Sequence, residues 1–184
     1  MSTDFARNLN ALAALLLSCV LLGAFGVQFV AGELPCPLCL LQRAAMLGIA
    51  AGALLNIRFG PTPAAYGVCL ASAVFGAGVS IRQILLHILP GDPGFGEPVL
   101  GLHLYTWAFV VFALAAALVS LMLLLRGQFR EVPRVRPLNA FQSFAFFVVL
   151  TVAAANAVST VLECGAGICP ANPTRYELLD QPGG

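Results

Sequence analysis

Five long apolar segments, separated by short stretches of Gly, Pro and charged residues, decide what this chain can fold into. They run over about 9–30, 38–57, 64–89, 102–125 and 141–162 of the 184 residues. Each reaches the length of about 20 residues that a helix needs to cross a hydrocarbon core ~30 Å thick. A strand alone in lipid leaves its backbone unsatisfied, and the segments lack the alternation of a barrel, so they read as helices. Composition agrees: 60% of residues are hydrophobic and 9% charged, against roughly 25% charged in a soluble domain. A water-facing surface cannot be covered with so little charge, which excludes a soluble enzyme. A net charge of +1 without a basic patch excludes disorder and nucleic-acid binding. The first segment is long and shows no small-residue cleavage site before Glu33, which argues against a removable signal peptide. The expectation is an all-α, multi-pass membrane bundle over 1–162 with a short tail over 163–184.

Arginine placement orients the bundle; the chain has no lysine. With five spans the termini lie on opposite sides. Placing the N-terminus inside puts Arg7, Arg58, Arg126, Arg130, Arg134 and Arg136 in inner segments and leaves only Arg175 outside. The outer segments then carry Glu33, Asp92, Glu97, Glu163, Glu177 and Asp180. This positive-inside bias predicts an N-in, C-out topology.

That topology brings two cysteine pairs to the outer side, where disulfides persist. Cys36 and Cys39 form Cys-Pro-Leu-Cys at the start of the second span, and Cys164 and Cys169 follow the fifth. Cys19 and Cys69 stand alone in apolar helices and read as inert packing residues. A Cys-x-x-Cys at a helix start lets the two sulfurs meet within one turn. The helix N-terminus stabilises a thiolate, the form that attacks disulfides and electrophiles. Pro37 suits the first turn. Two other readings stand beside this one. The pair could be a static disulfide pinning a helix end. Four thiolates could also bind zinc or copper(I), although the second pair is spaced more widely than a zinc knuckle.

Arg43 favours redox chemistry. Positions 36, 39 and 43 share one helix face, and Arg43 lies roughly 6 Å deeper than Cys39. A charge within a span is costly and marks a candidate functional site. Arg82, about seven residues before the outer end of the third span, is a second such residue, although either arginine could also snorkel to the headgroups. A dithiol in the outer leaflet beside a buried cation suits a lipid-soluble quinone. A thiolate can add to or donate into its ring, and arginine can stabilise charge developing on its oxygen.

The run Pro35-Cys36-Pro37-Leu38-Cys39-Leu40-Leu41-Gln42-Arg43 after a first span resembles the signature of the DsbB family. These are bacterial inner-membrane proteins that reoxidise a periplasmic thiol oxidase and pass electrons to quinone. Gly78-Val-Ser-Ile-Arg82-Gln83, and Gly101-Leu102 followed by Trp107, extend the similarity over roughly the first 125 residues. The resemblance implies a four-helix core in the inner membrane, a quinone (ubiquinone or menaquinone) as oxidant and a DsbA- or thioredoxin-like thiol protein as periplasmic partner. It implies that Cys39 engages the quinone, that Cys36 exchanges disulfides with the second pair, and that Arg43 lines the quinone site. Arg82 and His87 are further quinone-site candidates, His87 lying near a family histidine with its offset from Arg82 shifted by one.

The chain departs from the family in one respect. The family's second cysteine pair lies between the third and fourth spans, and here that loop has none. A fifth span instead carries Cys164 and Cys169 to the outer side, and we expect the partner-facing disulfide there. Gly165 and Gly167 supply backbone freedom for a small ring, and a short ring gains little from chain entropy. The other role for this pair is a static staple. The alternative function is a DsbB-like non-catalytic subunit or metal-handling assembly factor of a larger membrane complex. His103, Tyr105 and Trp107 read as an interfacial aromatic belt. Gln28, Thr151, Asn156, Ser159 and Thr160 read as hydrogen-bonding residues between helices.

Overall fold

A computed structural model describes residues 2–129, 135–165 and 167–179. Its five long helices are α1 (Thr3–Gly26), α2 (Pro37–Phe59), α3 (Pro63–Leu86), α4 (Leu104–Leu124) and α5 (Ala140–Cys164). All five are long and apolar enough to cross a membrane, and no strand occurs among the described residues. Local chemistry sets the helix starts. Ser2, Cys36, Thr62 and Asn139 each accept a backbone N–H of the first turn through a side chain, and Pro37 and Pro63 occupy first helical positions. Hydropathy marked α1 from about residue 9, but the helix begins at Thr3. Its first turn is polar and held by the Ser2 cap, which an apolar window does not register. Conversely α3 stops at Leu86, short of residue 89. His87 closes the last turn through a bond to the Ile84 carbonyl, and Pro90 disfavours helix in the residue before it.

α2 is the most buried span and packs against each of the other four helices; α5 lies against α1 and α2. Small residues bring the axes together. A Cβ on Gly52 would lie 2.5 Å from the Cys69 sulfur and 2.8 Å from the Ala65 carbonyl oxygen, so α2 and α3 need glycine there. Gly76 likewise admits the ring of Phe112 from α4. Side chains such as Leu16, Val74, Leu114 and Phe147 remain exposed, as lipid-facing positions require.

The arginine-rich end is tied by buried polar groups. Arg7 donates to the carbonyls of Ile57 (2.8 Å) and Pro137 (2.7 Å). Asn56 donates to Asn10, Asn10 to the Tyr66 hydroxyl and Tyr66 to Gln128, at 3.2, 2.9 and 2.9 Å. Gln142 of α5 joins through Asn8 at 2.9 Å. Arg130, Arg134 and Asp180, used to orient the chain, lie outside the described residues. With α1, α2, α3 and α5 locked at this end, the opposite end carries the cysteines and an opening between α1 and α4.

Candidate functional site

The chain reaches the site through a widened turn. After α1 comes one π-helical turn, Val27–Ala31, which carries the buried Gln28. Such turns often occur at functional sites. Gly32 follows in the left-handed conformation (φ 71°), and an extended segment delivers Cys36 to the N-cap of α2. The Cys36 sulfur accepts the Cys39 N–H at 3.2 Å. Both cysteines are free thiols, Cys36 buried and Cys39 partly buried. The side-chain hydrogen bond between the Cys36 and Cys39 sulfurs, together with burial, pushes the Cys36 thiol well above the ordinary thiol range, against the Cys39 N–H, which lowers it.

Gln83 of α3, 1% exposed, completes the sulfur environment. Its Nε2 donates to Cys36 Sγ at 3.3 Å and to Cys39 Sγ at 3.6 Å. Its Oε1 accepts from Gln42 at 3.0 Å, which fixes the orientation of the amide. Hydrogen bonds to an anionic sulfur favour the thiolate. Replacing Gln83 with Leu is therefore expected to slow iodoacetamide alkylation of Cys39 at neutral pH by about tenfold, equivalent to ~1.4 kcal/mol. An unchanged rate would remove Gln83 from the site.

Arg43 is 7% exposed and does not snorkel. Its Nη1 donates to Gln28 Oε1 at 2.7 Å, its Nη2 donates to the Ala24 carbonyl at 3.1 Å, and the guanidinium lies 5.0 Å from the centre of the Phe25 ring. Ala24 and Phe25 of α1 and Gln28 of the π-helical turn thus hold the head inward, the Phe25 face through a cation–π contact.

Cys39, Gln42, Arg43 and Gln83 line one cavity of about 310 Å³. Most of its remaining wall is apolar and comes from the end of α1 and the π-helical turn, Val20 to Val27, and from α4, Leu104 to Val111. The loop between α3 and α4 covers it through Phe95, Gly96 and Val99. That loop is pinned by Glu33, which accepts the Glu97 N–H at 3.3 Å, by His103 Nδ1 at 3.0 Å from the Gly96 carbonyl, and by the Trp107 indole donating to Val99 at 2.9 Å. Cys36 lies behind Cys39 and does not line the cavity.

The structure thus brings Cys36, Cys39 and Arg43 together, and leaves two candidates off the cavity wall. Arg82 is exposed on α3; one residue further turns the helix by about 100°, and Gln83 takes the inward place. His87 is half-buried at the end of α3, its Nδ1 3.0 Å from Asp92 Oδ1 and its ring stacked 5.7 Å from Tyr105. The Gly94 N–H and His87 hold the Asp92 carboxyl below its usual range. His87 therefore stands behind a wall residue. The aromatic group differs from a lipid-facing belt: Tyr105 is buried and lines the cavity with Trp107, because the covering loop holds the start of α4 inward. Cys69 is buried and its thiol donates to the Ile49 carbonyl, while Cys19 faces outward.

Cys164 and Cys169 form a disulfide at the end of α5. The tail then folds back on that helix: the Glu177 N–H meets the Glu163 carbonyl at 3.3 Å and the Leu178 N–H meets Leu162 at 3.1 Å. Gln28 Nε2 donates to the Tyr176 hydroxyl at 3.0 Å and to Ser159 at 2.8 Å. Gln28 thereby ties the tail and α5 to Arg43. Sequence reasoning overlooked the sulfur-binding role of Gln83. Its signal was a buried-type amide in register with Gly76 and Ser80 on the α3 stripe that faces its neighbours.

Comparison with known proteins adds to this geometry. The family model "Disulfide bond formation protein DsbB" matches residues 6–97, a region holding both site cysteines, Arg43 and Gln83. "Disulfide bond formation protein B" of Chromobacterium violaceum is 40% identical over 86 residues, 42% of this chain and 52% of the relative. "Disulfide bond formation protein B 1" of Pseudomonas savastanoi pv. phaseolicola is 35% identical over 131 residues, 53% of this chain and 77% of the relative. The chain thus spans about half the length of the first relative and about three quarters of the second. No solved structure is a significant match. The family match stops before α5 and its cysteines. Five membrane-length helices, a Cys-x-x-Cys capping α2 and a family match over half of the chain lead to one assignment: this multi-pass inner-membrane protein belongs to the DsbB family of disulfide bond formation proteins.

Proposed function

We propose that the chain is a thiol oxidase that makes disulfides on the periplasmic side and discharges electrons into a membrane quinone. The observation that carries this reading is that Cys39 and Arg43 line the same apolar cavity while Cys36 stands behind them. A cavity of about 310 Å³ with apolar walls and a few converging polar groups suits a small aromatic head group. Ubiquinone or menaquinone would supply a two-electron, two-proton acceptor. Tyr105 and Trp107 would flank its ring, and Arg43 would face an oxygen that gains negative charge. Cys39 sits in the first turn of α2, at the positive end of the helix dipole and on the same cavity wall as Arg43. Cys36 keeps its proton and re-forms the disulfide with Cys39. The Cys164–Cys169 disulfide would accept electrons from a DsbA- or thioredoxin-like partner and pass them to the first pair.

Thiol counting on purified protein tests the reading. Adding a short-chain ubiquinone to the reduced protein should remove the Cys36 and Cys39 thiols and leave those of Cys19 and Cys69. Thiols that persist in excess quinone, with zinc or copper bound stoichiometrically, would overturn it in favour of a metal-handling subunit. Arg43→His should raise the apparent KM for quinone by about thirtyfold, the loss of ~2 kcal/mol from a charge-assisted contact, with kcat changed less. An unchanged KM would displace Arg43 from the quinone.

A further inference from the structure

Glu163 is the residue before Cys164 in α5. It is 1% exposed, and among the described residues neither carboxylate oxygen has a hydrogen-bond partner. A buried carboxyl in this condition is costly unless a charge or a proton compensates it. Its electrostatic neighbours are the Arg43 guanidinium and the Cys39 sulfur on α2. The tail adds Tyr176, and α2 adds Cys36, both acting on Arg43. The π-helical turn after α1 contributes the neutral Gln28. Among the described residues Arg43 itself bonds only neutral oxygens, on Gln28 and Ala24. One buried cation therefore faces two groups that can be anionic, Glu163 and Cys39.

We infer that Glu163 stores a proton for the electron relay between the two cysteine pairs. This rests on the thiol-oxidase reading above and adds a residue to it. When all cysteines of the relay are disulfides, no thiolate is present and the Glu163 carboxylate is the counter-charge of Arg43. The partner's dithiol reduces Cys164–Cys169 to two thiols. The Cys164 sulfur then attacks Cys36, the Cys36–Cys39 bond breaks and Cys39 leaves as a thiolate. Cys169 attacks Cys164, re-forming the tail disulfide and releasing Cys36. Two protons have left the tail: one protonates Cys36, and the other has no sulfur to go to, because Cys39 remains ionised against Arg43. Glu163 takes it, and the cluster keeps one cation and one anion. When Cys36 and Cys39 re-form their disulfide, the two electrons leave to quinone with the proton from Cys36 and the proton from Glu163, which completes the quinol.

Infrared difference spectra of quinone-free protein, oxidised minus dithiothreitol-reduced, test the inference. Wild type should show a protonated carboxyl band that appears on reduction, and Glu163→Gln should lack it. A band retained in Glu163→Gln, or missing from wild type, overturns the assignment. Glu163→Asp, which preserves the charge, should restore a shifted band. Glu163→Gln should also slow transfer from the tail pair to Cys36–Cys39 by at least about tenfold at neutral pH, and make it depend on buffer concentration; a rate and pH profile equal to wild type again overturns the assignment. The two levels fail separately. Full partner turnover without Cys164 and Cys169 removes the relay itself, whereas essential tail cysteines with a silent Glu163→Gln remove only the proton store.

Discussion

Cys39→Ser is expected to reduce quinone reduction to below about 0.1% of wild type, because the attacking atom is lost and a serine hydroxyl does not replace a thiolate. Cys36→Ser should also stop turnover, for a different reason. It leaves Cys39 in the cavity with Gln83 at 3.6 Å but takes away the sulfur with which Cys39 closes a disulfide. The two variants therefore separate spectroscopically. Cys36→Ser with bound quinone should show a thiolate-to-quinone charge-transfer band in the visible range, and Cys39→Ser should show none. Both should keep the helical signature. Their sulfurs lie at the first turn of α2, away from the contact of Gly52 with Cys69 that brings α2 and α3 together. Quinone reduction by Cys39→Ser at a wild-type rate would end the case for this site.

Why the first cysteine pair was legible in the sequence and Gln83 was not is a matter of what each signal depends on. The Cys-x-x-Cys and Arg43 lie within the first two turns of one helix, so spacing alone puts them on a common face. The span count followed from hydropathy, because lipid leaves the backbone no alternative to the helix. Gln83 acts across an interface, and its inward orientation depends on how α3 rotates against α2, a rotation set by Gly52 and Cys69. Its neighbour Arg82 carries the charge that marks a candidate site within a span, yet it faces outward. The cavity was illegible for the same reason: its walls come from α1, α4 and the loop above them, which no local pattern connects. The polar start of α1 was illegible because the Ser2 cap works through one hydrogen bond, not through an apolar stretch.

Removing the tail pair, as Cys164→Ala with Cys169→Ala, is expected to abolish turnover with a DsbA-type partner, by about a thousandfold or more, while oxidation of dithiothreitol continues. A small dithiol needs no docking site and can reach the first pair directly; a folded partner needs an accessible disulfide. Cys169 is half-buried beside Ile168, which is 98% exposed, whereas Cys164 is buried at the end of α5. The partner's thiolate should therefore attack Cys169 and expel Cys164 toward the bundle. Accordingly, Cys164→Ala offered the oxidised form of the partner should be trapped as a mixed disulfide at Cys169, its thiolate attacking the partner's disulfide and releasing the partner's second sulfur as a thiol, and Cys169→Ala should not. Loss of a fold-stabilising staple does not produce this pattern. By chain entropy a ring this short contributes about 2 kcal/mol, and the tail stays attached to α5 through the backbone bonds of Glu177 and Leu178. Partner turnover that survives the double substitution would leave Cys164–Cys169 as that staple, and the route from partner to Cys36 would then have to bypass the tail.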